Sequence, residues 1–178
     1  METKTKHILN VTHVISYIIF VGLCFECGTV LFSYFVSLYR PIIVQNLYMG
    51  LNLSDLHQFS RTHYSMLMWG IMLISGLKAF IFYLLIKIFS QINFRHPFSP
   101  EVAVLISGIS YVAFAIGILT MAAIGYRDWL TEKGVTFPDL EEYLGGAAEF
   151  LLLGAIIFII AQVFKRGIEI QSENELTV

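Results

Sequence analysis

Long apolar runs alternate with shorter polar segments along this chain. Four runs contain about the 20 mostly apolar residues that a helix needs to cross a bilayer. They cover about residues 12–38, 64–89, 102–125 and 144–164. None shows the strict two-residue alternation of a barrel strand. Because helices satisfy their own backbone hydrogen bonds in lipid, the pattern predicts an all-α fold. We expect an integral membrane bundle of four transmembrane helices, forming a single domain over residues 1–178.

The segments that join the spans contain readable start and stop signals. Proline has no backbone N–H, so Arg40-Pro41 should end the first helix. The loop at 90–100 leads into Ser99-Pro100-Glu101. Serine as N-cap, proline at the first helical position and an acid in the first turn indicate a helix start.

The two remaining loops and the tail differ in composition. Residues 39–63 mix leucines with polar residues and could form a short amphipathic helix on the membrane surface. The loop at 126–143 is acidic, and residues 165–178 form a polar tail. The apolar run after Lys4 and Lys6 is too long for a signal-peptide core, so we expect an uncleaved first span.

The distribution of basic residues predicts the orientation of the chain. Four spans place both termini on one side, and the side richer in lysine and arginine should be the cytoplasm. The terminal side would hold Lys4, Lys6, Lys87, Arg95, Lys165 and Arg166, against Arg40, Arg61, Arg127 and Lys133 on the other. We therefore expect both termini inside.

Bulk composition supports lipid as the surrounding medium. The chain is 57% hydrophobic and 13% charged, with mean hydropathy +0.73, whereas soluble domains carry about 25% charged residues. A net charge of -2 argues against nucleic acid as a partner, because such binding needs a basic surface. The expected partners are the lipid bilayer, a membrane or cytoplasmic protein, and a second copy of the chain.

Three ionisable residues lie within the apolar runs: Glu26, Lys78 and Glu149. A charge at mid-bilayer costs roughly 2.5 kcal/mol or more. Since Glu26 and Lys78 are both near mid-span, we expect them to form a buried ion pair. The pair could be structural and fix helix register, or it could handle protons, ions or a ligand. One of the charges could instead face a water defect. Small and polar residues mark the inward face of each helix, among them Thr29, Ser75 and Ser107.

Other chemistry is weakly supported by the sequence. Cys24 and Cys27 share one span and suit packing better than redox or metal chemistry, although a redox role is a third hypothesis. The histidines lack the spacing of a metal or haem site. No nucleophile or phosphate-binding loop is present, so we expect no catalytic residue, no metal, no cofactor and no enzyme activity.

Two segments resemble a known bacterial membrane family, domain of unknown function 2975. They are the inner loop Asn93–Glu101, which follows the lysine-bearing span, and the tail Lys165–Val178. The resemblance extends from about Leu67 onward. It implies a four-span protein of the bacterial inner membrane, often encoded beside a small helix-turn-helix regulator. It supplies no activity and no catalytic residue.

Two hypotheses of function follow. The first is a non-enzymatic membrane protein that acts through interaction or regulation, using its inner loop and polar tail. The second is a small transporter or channel subunit that uses a buried pair of Glu26 and Lys78 for ion or proton handling.

Overall fold

A computed structural model of the chain describes residues 2–91, 98–138 and 140–175. Every regular element in these residues is helical. Four of the helices are long and apolar enough to cross a membrane, which confirms the predicted fold class. In chain order the α-helices are α1 (Glu2–Tyr39), α2 (Ser54–Phe59), α3 (Arg61–Gln91), α4 (Pro100–Glu132), α5 (Glu141–Leu144) and α6 (Ala147–Glu175), with short 3-10 helices at Pro41–Gln45 and Tyr48–Gly50.

Parts of the predicted loops and tail lie outside the described residues. These are residues 92–97 of the loop between the second and third spans, Asp139 of the acidic loop, and residues 176–178 of the tail.

The long helices are longer than the apolar runs that predicted them. Helix α1 has 38 residues, which corresponds to about 57 Å at the usual helical rise. The hydrocarbon core of a bilayer is about 30 Å thick, so α1 continues into polar surroundings. Helix α6 likewise continues through the predicted polar tail to Glu175. The start of α6 at Ala147 rather than 144 follows a break at Gly145 and Gly146, and Gly146 has a φ of 84°.

Contacts between side chains show that α1 and α3 run antiparallel. His13 lies near Phe89, with ring centroids 5.7 Å apart. Farther along α1, the hydroxyl of Tyr34 donates a hydrogen bond to Ser65 Oγ at 3.1 Å. Because the partner number falls as the α1 number rises, the two helices have opposite directions.

Contacting residue pairs also give the relative directions of the other long helices and show which of them are neighbours. The rings of Phe98 and Phe164 are 5.0 Å apart, and Ser110 Oγ donates to the carbonyl of Gly154 at 2.9 Å, so α4 and α6 are antiparallel. Helix α3 packs against both α1 and α4. The long helices therefore follow one another in the order α1, α3, α4, α6, and no extensive contact joins α1 to α6 in the described residues.

This order explains which helices are buried. In the most apolar 18-residue stretch of each long helix, 50% of the residues of α3 and 44% of those of α4 are buried. The corresponding fraction is 11% in both α1 and α6. The two central helices have neighbours on both sides, whereas α1 and α6 each pack mainly on one other long helix. Most of the surface of α1 and α6 is thus available to lipid or to another protein.

Opposite the termini, the loops fold into a compact cap, defined as residues 40–60, 133–138 and 140–146. Its two loops are joined by a hydrogen bond from Tyr143 Oη to the carbonyl of Tyr48 at 2.5 Å. Within the first loop, Leu53 N donates to Val44 O at 3.0 Å. Helix α2 lies within residues 39–63, where a short amphipathic helix was predicted, and it buries Leu56 completely. Buried cap residues comprise Val44, Leu47, Leu51, Leu53, Leu56, Val135, Leu140, Tyr143 and Leu144.

The predicted helix signals around the first and third spans are confirmed. Helix α1 ends at Tyr39, before Arg40-Pro41. Ser99 is the N-cap of α4, with Pro100 and Glu101 in the first turn. The Ser99 hydroxyl accepts a hydrogen bond from Val102 N at 3.3 Å, which satisfies one of the unpaired donors at the helix start.

We expect Ser99→Ala to lower the free energy of unfolding by about 1 kcal/mol, because the alanine side chain cannot accept this bond. Ser99→Asp should retain most of the stability. Denaturant titration of the purified protein in detergent measures the difference. Ser90→Ala is the matched control, since the Ser90 hydroxyl only donates to the carbonyl of Lys87 in its own helix. Equal stability of the two alanine variants would contradict the capping role.

Candidate functional site

The mid-membrane carboxylate of Glu26 lies at the contact between α1 and α3. Its Oε1 accepts a hydrogen bond from Ser75 Oγ at 3.4 Å, a long contact. Ser75 is buried at 3% exposure, whereas Glu26 is half-buried. Next to Glu26, the thiol of Cys27 lies 3.7 Å from the carbonyl of Met72. Of the predicted site residues, Glu26 and Ser75 are therefore brought together.

The prediction that Glu26 and Lys78 form a buried ion pair is wrong for the described residues, where no salt bridge joins them. The Lys78 ammonium instead lies over the ring of Phe150 on α6, 5.8 Å from its centroid. Helix α1 packs along α3 beside Ser75, whereas the Lys78 side chain, one turn farther along α3, extends toward Phe150 of α6. The pair was inferred from similar depth, but depth does not fix the direction of a side chain around its helix.

The remaining predicted site residues are Thr29, Ser107 and Glu149. Thr29 Oγ1 donates to the carbonyl of Phe25 at 2.8 Å, and Ser107 Oγ donates to the carbonyl of Ala103 at 2.9 Å. Each hydroxyl is thus bonded within its own helix, a common arrangement for serine and threonine in helices. Glu149 is exposed in the first turn of α6, where a carboxylate interacts favourably with the helix dipole.

We call the part of α3 that lies between its contacts to α1 and α6 the membrane groove. We define it by Glu26, Ser75, Lys78 and Phe150. Ser75 and Lys78 are one turn apart on α3 and contact Glu26 of α1 and Phe150 of α6 respectively. Since α1 and α6 have no extensive contact in the described residues, the groove is open between them. It presents one acid and one base, each near the middle of its predicted span.

The cysteines do not form a disulfide. Cys24 is exposed and Cys27 is half-buried, and both thiols are free. Cys27 packs near Gly76, where a Cβ would lie 3.9 Å from the sulfur. No cluster of three or more metal-ligating side chains occurs among the described residues. The geometry of Cys27 is that of a packed helix residue.

Sequence reasoning missed a cluster of aromatic and histidine side chains below the cap. His63 belongs to the predicted loop at 39–63, but in the structure it lies in the first turn of α3 and is half-buried. Its Nδ1 hydrogen-bonds to the hydroxyl of Tyr126 on α4. Its ring packs edge-to-face with the ring of Trp129, and the two centroids are 5.8 Å apart. The predicted topology puts these span ends on one side of the membrane, so the available signal was a histidine and a tyrosine at neighbouring helix ends.

A shallow recess of about 500 Å³ lies on the cap between the end of α4 and residues 134–138. Arg127 lines this recess, and its guanidinium pairs with the adjacent Asp128 at 2.7 Å. Because this arginine already has a carboxylate partner, the recess offers an anionic ligand little additional attraction.

Comparison with known families identifies the chain. The family model described as protein of unknown function (DUF2975) matches residues 14–178. This chain belongs to the DUF2975 family. The match covers α1 from residue 14 onward, the other three long helices and both loops of the cap, so it includes the region before Leu67 that the sequence resemblance left out. No curated protein and no solved structure matches this DUF2975 chain.

Proposed function

We propose that this DUF2975 chain is a non-enzymatic multi-pass protein of the bacterial inner membrane that acts by binding a protein partner on the side of its termini. The observation that carries the proposal is the continuation of α6 as a helix to Glu175, beyond the predicted span that ends at 164. Residues 165–175, which we call the α6 extension, add about 16 Å of helix at the usual rise. The extension offers a pre-formed recognition surface outside the hydrocarbon layer.

Aromatic packing fixes the direction in which the α6 extension leaves the membrane. The position of a Gly167 Cβ lies only 2.7 Å from the Phe98 ring, and Phe98 also packs on Phe164. These contacts hold the base of the extension against the start of α4. A helix held at its base loses little conformational entropy on binding, which favours affinity.

The α6 extension combines charge with an exposed apolar residue. Arg166 and Glu169 form a salt bridge at 2.6 Å on its surface, and Ile170 is 47% exposed. An apolar anchor flanked by charges suits docking of a helix in a groove of another protein. The terminal side also carries more lysine and arginine than the cap side, six against four. This bias supports a cytoplasmic location of the extension and thus a cytoplasmic or membrane partner.

The second hypothesis was a transporter or channel subunit that uses a paired Glu26 and Lys78. It depended on an ion pair that the described residues do not contain.

A photo-crosslinking amino acid at position 170 should trap this partner in living cells. We expect a discrete protein adduct when p-benzoylphenylalanine replaces Ile170, because that side chain lies on the proposed surface. The same amino acid at Ile159, which is 63% exposed within the span, is the matched control and should react mainly with lipid. Gel shift and mass spectrometry of the purified protein identify the adducts. Identical patterns at both positions would refute the proposed binding surface.

A further inference from the structure

In the part of the chain that the structure describes, neither charge of the membrane groove has a charged partner. The contact of Glu26 to Ser75 is long, at 3.4 Å, and Lys78 contacts the face of an aromatic ring. Both side chains are half-buried near the middle of their spans. Acyl chains supply neither a counter-ion nor a hydrogen bond, so each charge raises the free energy of an isolated copy in lipid.

The groove is accessible to another helix from within the membrane. It lies between α1 and α6, and in the most apolar stretch of each of these helices only 11% of the residues are buried. On the Glu26 side of α1, Gly22 is exposed. No described atom of another helix lies within 4 Å of the position that its Cβ would occupy. Small residues at such positions allow the backbones of membrane helices to approach closely.

We propose that a second copy of this chain docks on the membrane groove, so that Glu26 of each copy pairs with Lys78 of the other. A twofold axis brings residue i against residue j and residue j against residue i. One acid and one base at similar depth in a single open groove are therefore self-complementary. Two intermolecular ion pairs form, and neither copy is left with an uncompensated charge in the membrane.

Charge complementarity favours a second copy over other occupants. A lipid acyl chain would fill the groove but leave both charges unpaired. A different protein would need an acid and a base at matching depths, whereas the chain itself carries both on the groove. This interface is separate from the α6 extension, so it stands or falls independently of the proposed partner protein.

Charge reversal in separate copies tests the interface. Alone, Glu26→Lys and Lys78→Glu each place like charges opposite one another across the dimer. When the two variants are co-expressed, a mixed dimer has opposite charges in both pairs. We expect each variant alone to lower the dimer equilibrium constant at least tenfold, which corresponds to about 1.4 kcal/mol. The mixed pair should restore association to near the wild-type level. Two fluorescent tags and single-molecule counting in liposomes report the stoichiometry.

An intramolecular pair gives a different pattern. It would be restored only when both substitutions are in the same chain, so rescue confined to the double variant overturns the proposal. Wild-type protein that stays monomeric at every protein-to-lipid ratio overturns it as well. If the charge-reversed chains do not insert, Glu26→Gln and Lys78→Met provide the test. The proposal expects weaker dimerisation of each neutral variant than of wild type, and unchanged dimerisation contradicts it.

Discussion

Gly117→Leu should separate α6 from α4 and produce a large loss of stability. A Cβ at position 117 would lie 2.7 Å from Cγ of Leu151 and 3.0 Å from the carbonyl oxygen of Ala147. The Leu151 side chain could turn away, but the backbone carbonyl of Ala147 cannot move without shifting α6. Overpacking of this kind costs about 1–3 kcal/mol. Because leucine adds four carbons where even a single Cβ is too close, we expect the cost of Gly117→Leu to be near the upper end of that range.

The expected shift can be measured in detergent. A loss of about 3 kcal/mol corresponds to a decrease in Tm of roughly 6–12 °C for a chain of this size. Gly125→Leu is the matched control because it makes the same change in the same helix at a position with no atom within 4 Å of its Cβ. Leucine has the higher helix propensity, so the control should be neutral or slightly more stable. Equal losses in the two variants would mean that close contact between α4 and α6 does not limit stability.

Leu56→Ala should unfold the cap without disrupting the membrane helices. The Leu56 side chain is completely buried, and it belongs to the apolar core beneath the loops. Replacing a buried leucine with alanine typically costs about 2–5 kcal/mol. Leu56 is one of the nine buried side chains that hold the cap together, so the local free energy of opening the cap should fall by most of that amount.

Hydrogen exchange can separate opening of the cap from global unfolding. In Leu56→Ala, backbone amides of residues 44–60 should exchange faster, while amides within α3 and α4 keep their protection because their hydrogen bonds remain inside the membrane. Phe59→Ala is the control on the same helix, since Phe59 is 48% exposed. If both variants opened the cap equally, burial of Leu56 would not be what holds it closed.

The mid-membrane charges illustrate where sequence reasoning stops. Their positions near the middle of two apolar runs predicted that Glu26 and Lys78 lie at similar depth, but depth alone does not decide whether two side chains meet. Whether two side chains meet also depends on which helices are neighbours. The order α1, α3, α4, α6 directs Lys78 toward Phe150, which lies 72 positions later in the sequence. No local pattern contains that information.

The bond between His63 and Tyr126 was missed for a related reason. Their separation of 63 residues carries no periodic signal. Tyr126 taken alone matches an ordinary interfacial position, where tyrosine is common. Only the antiparallel packing of α3 and α4 brings the start of one helix beside the end of the other.

The sequence by itself determined the four spans, the end of α1 before Pro41 and the cap of α4 at Ser99. These features depend on local properties: transfer of apolar side chains into lipid, the missing N–H of proline and a hydroxyl beside unpaired amides. The tertiary structure decided that the cap is folded, that α1 and α6 leave a groove between them, and that the acid and the base in that groove do not pair within one chain. Those features arise from contacts between residues far apart in the sequence, and such contacts are set by how whole helices pack against one another.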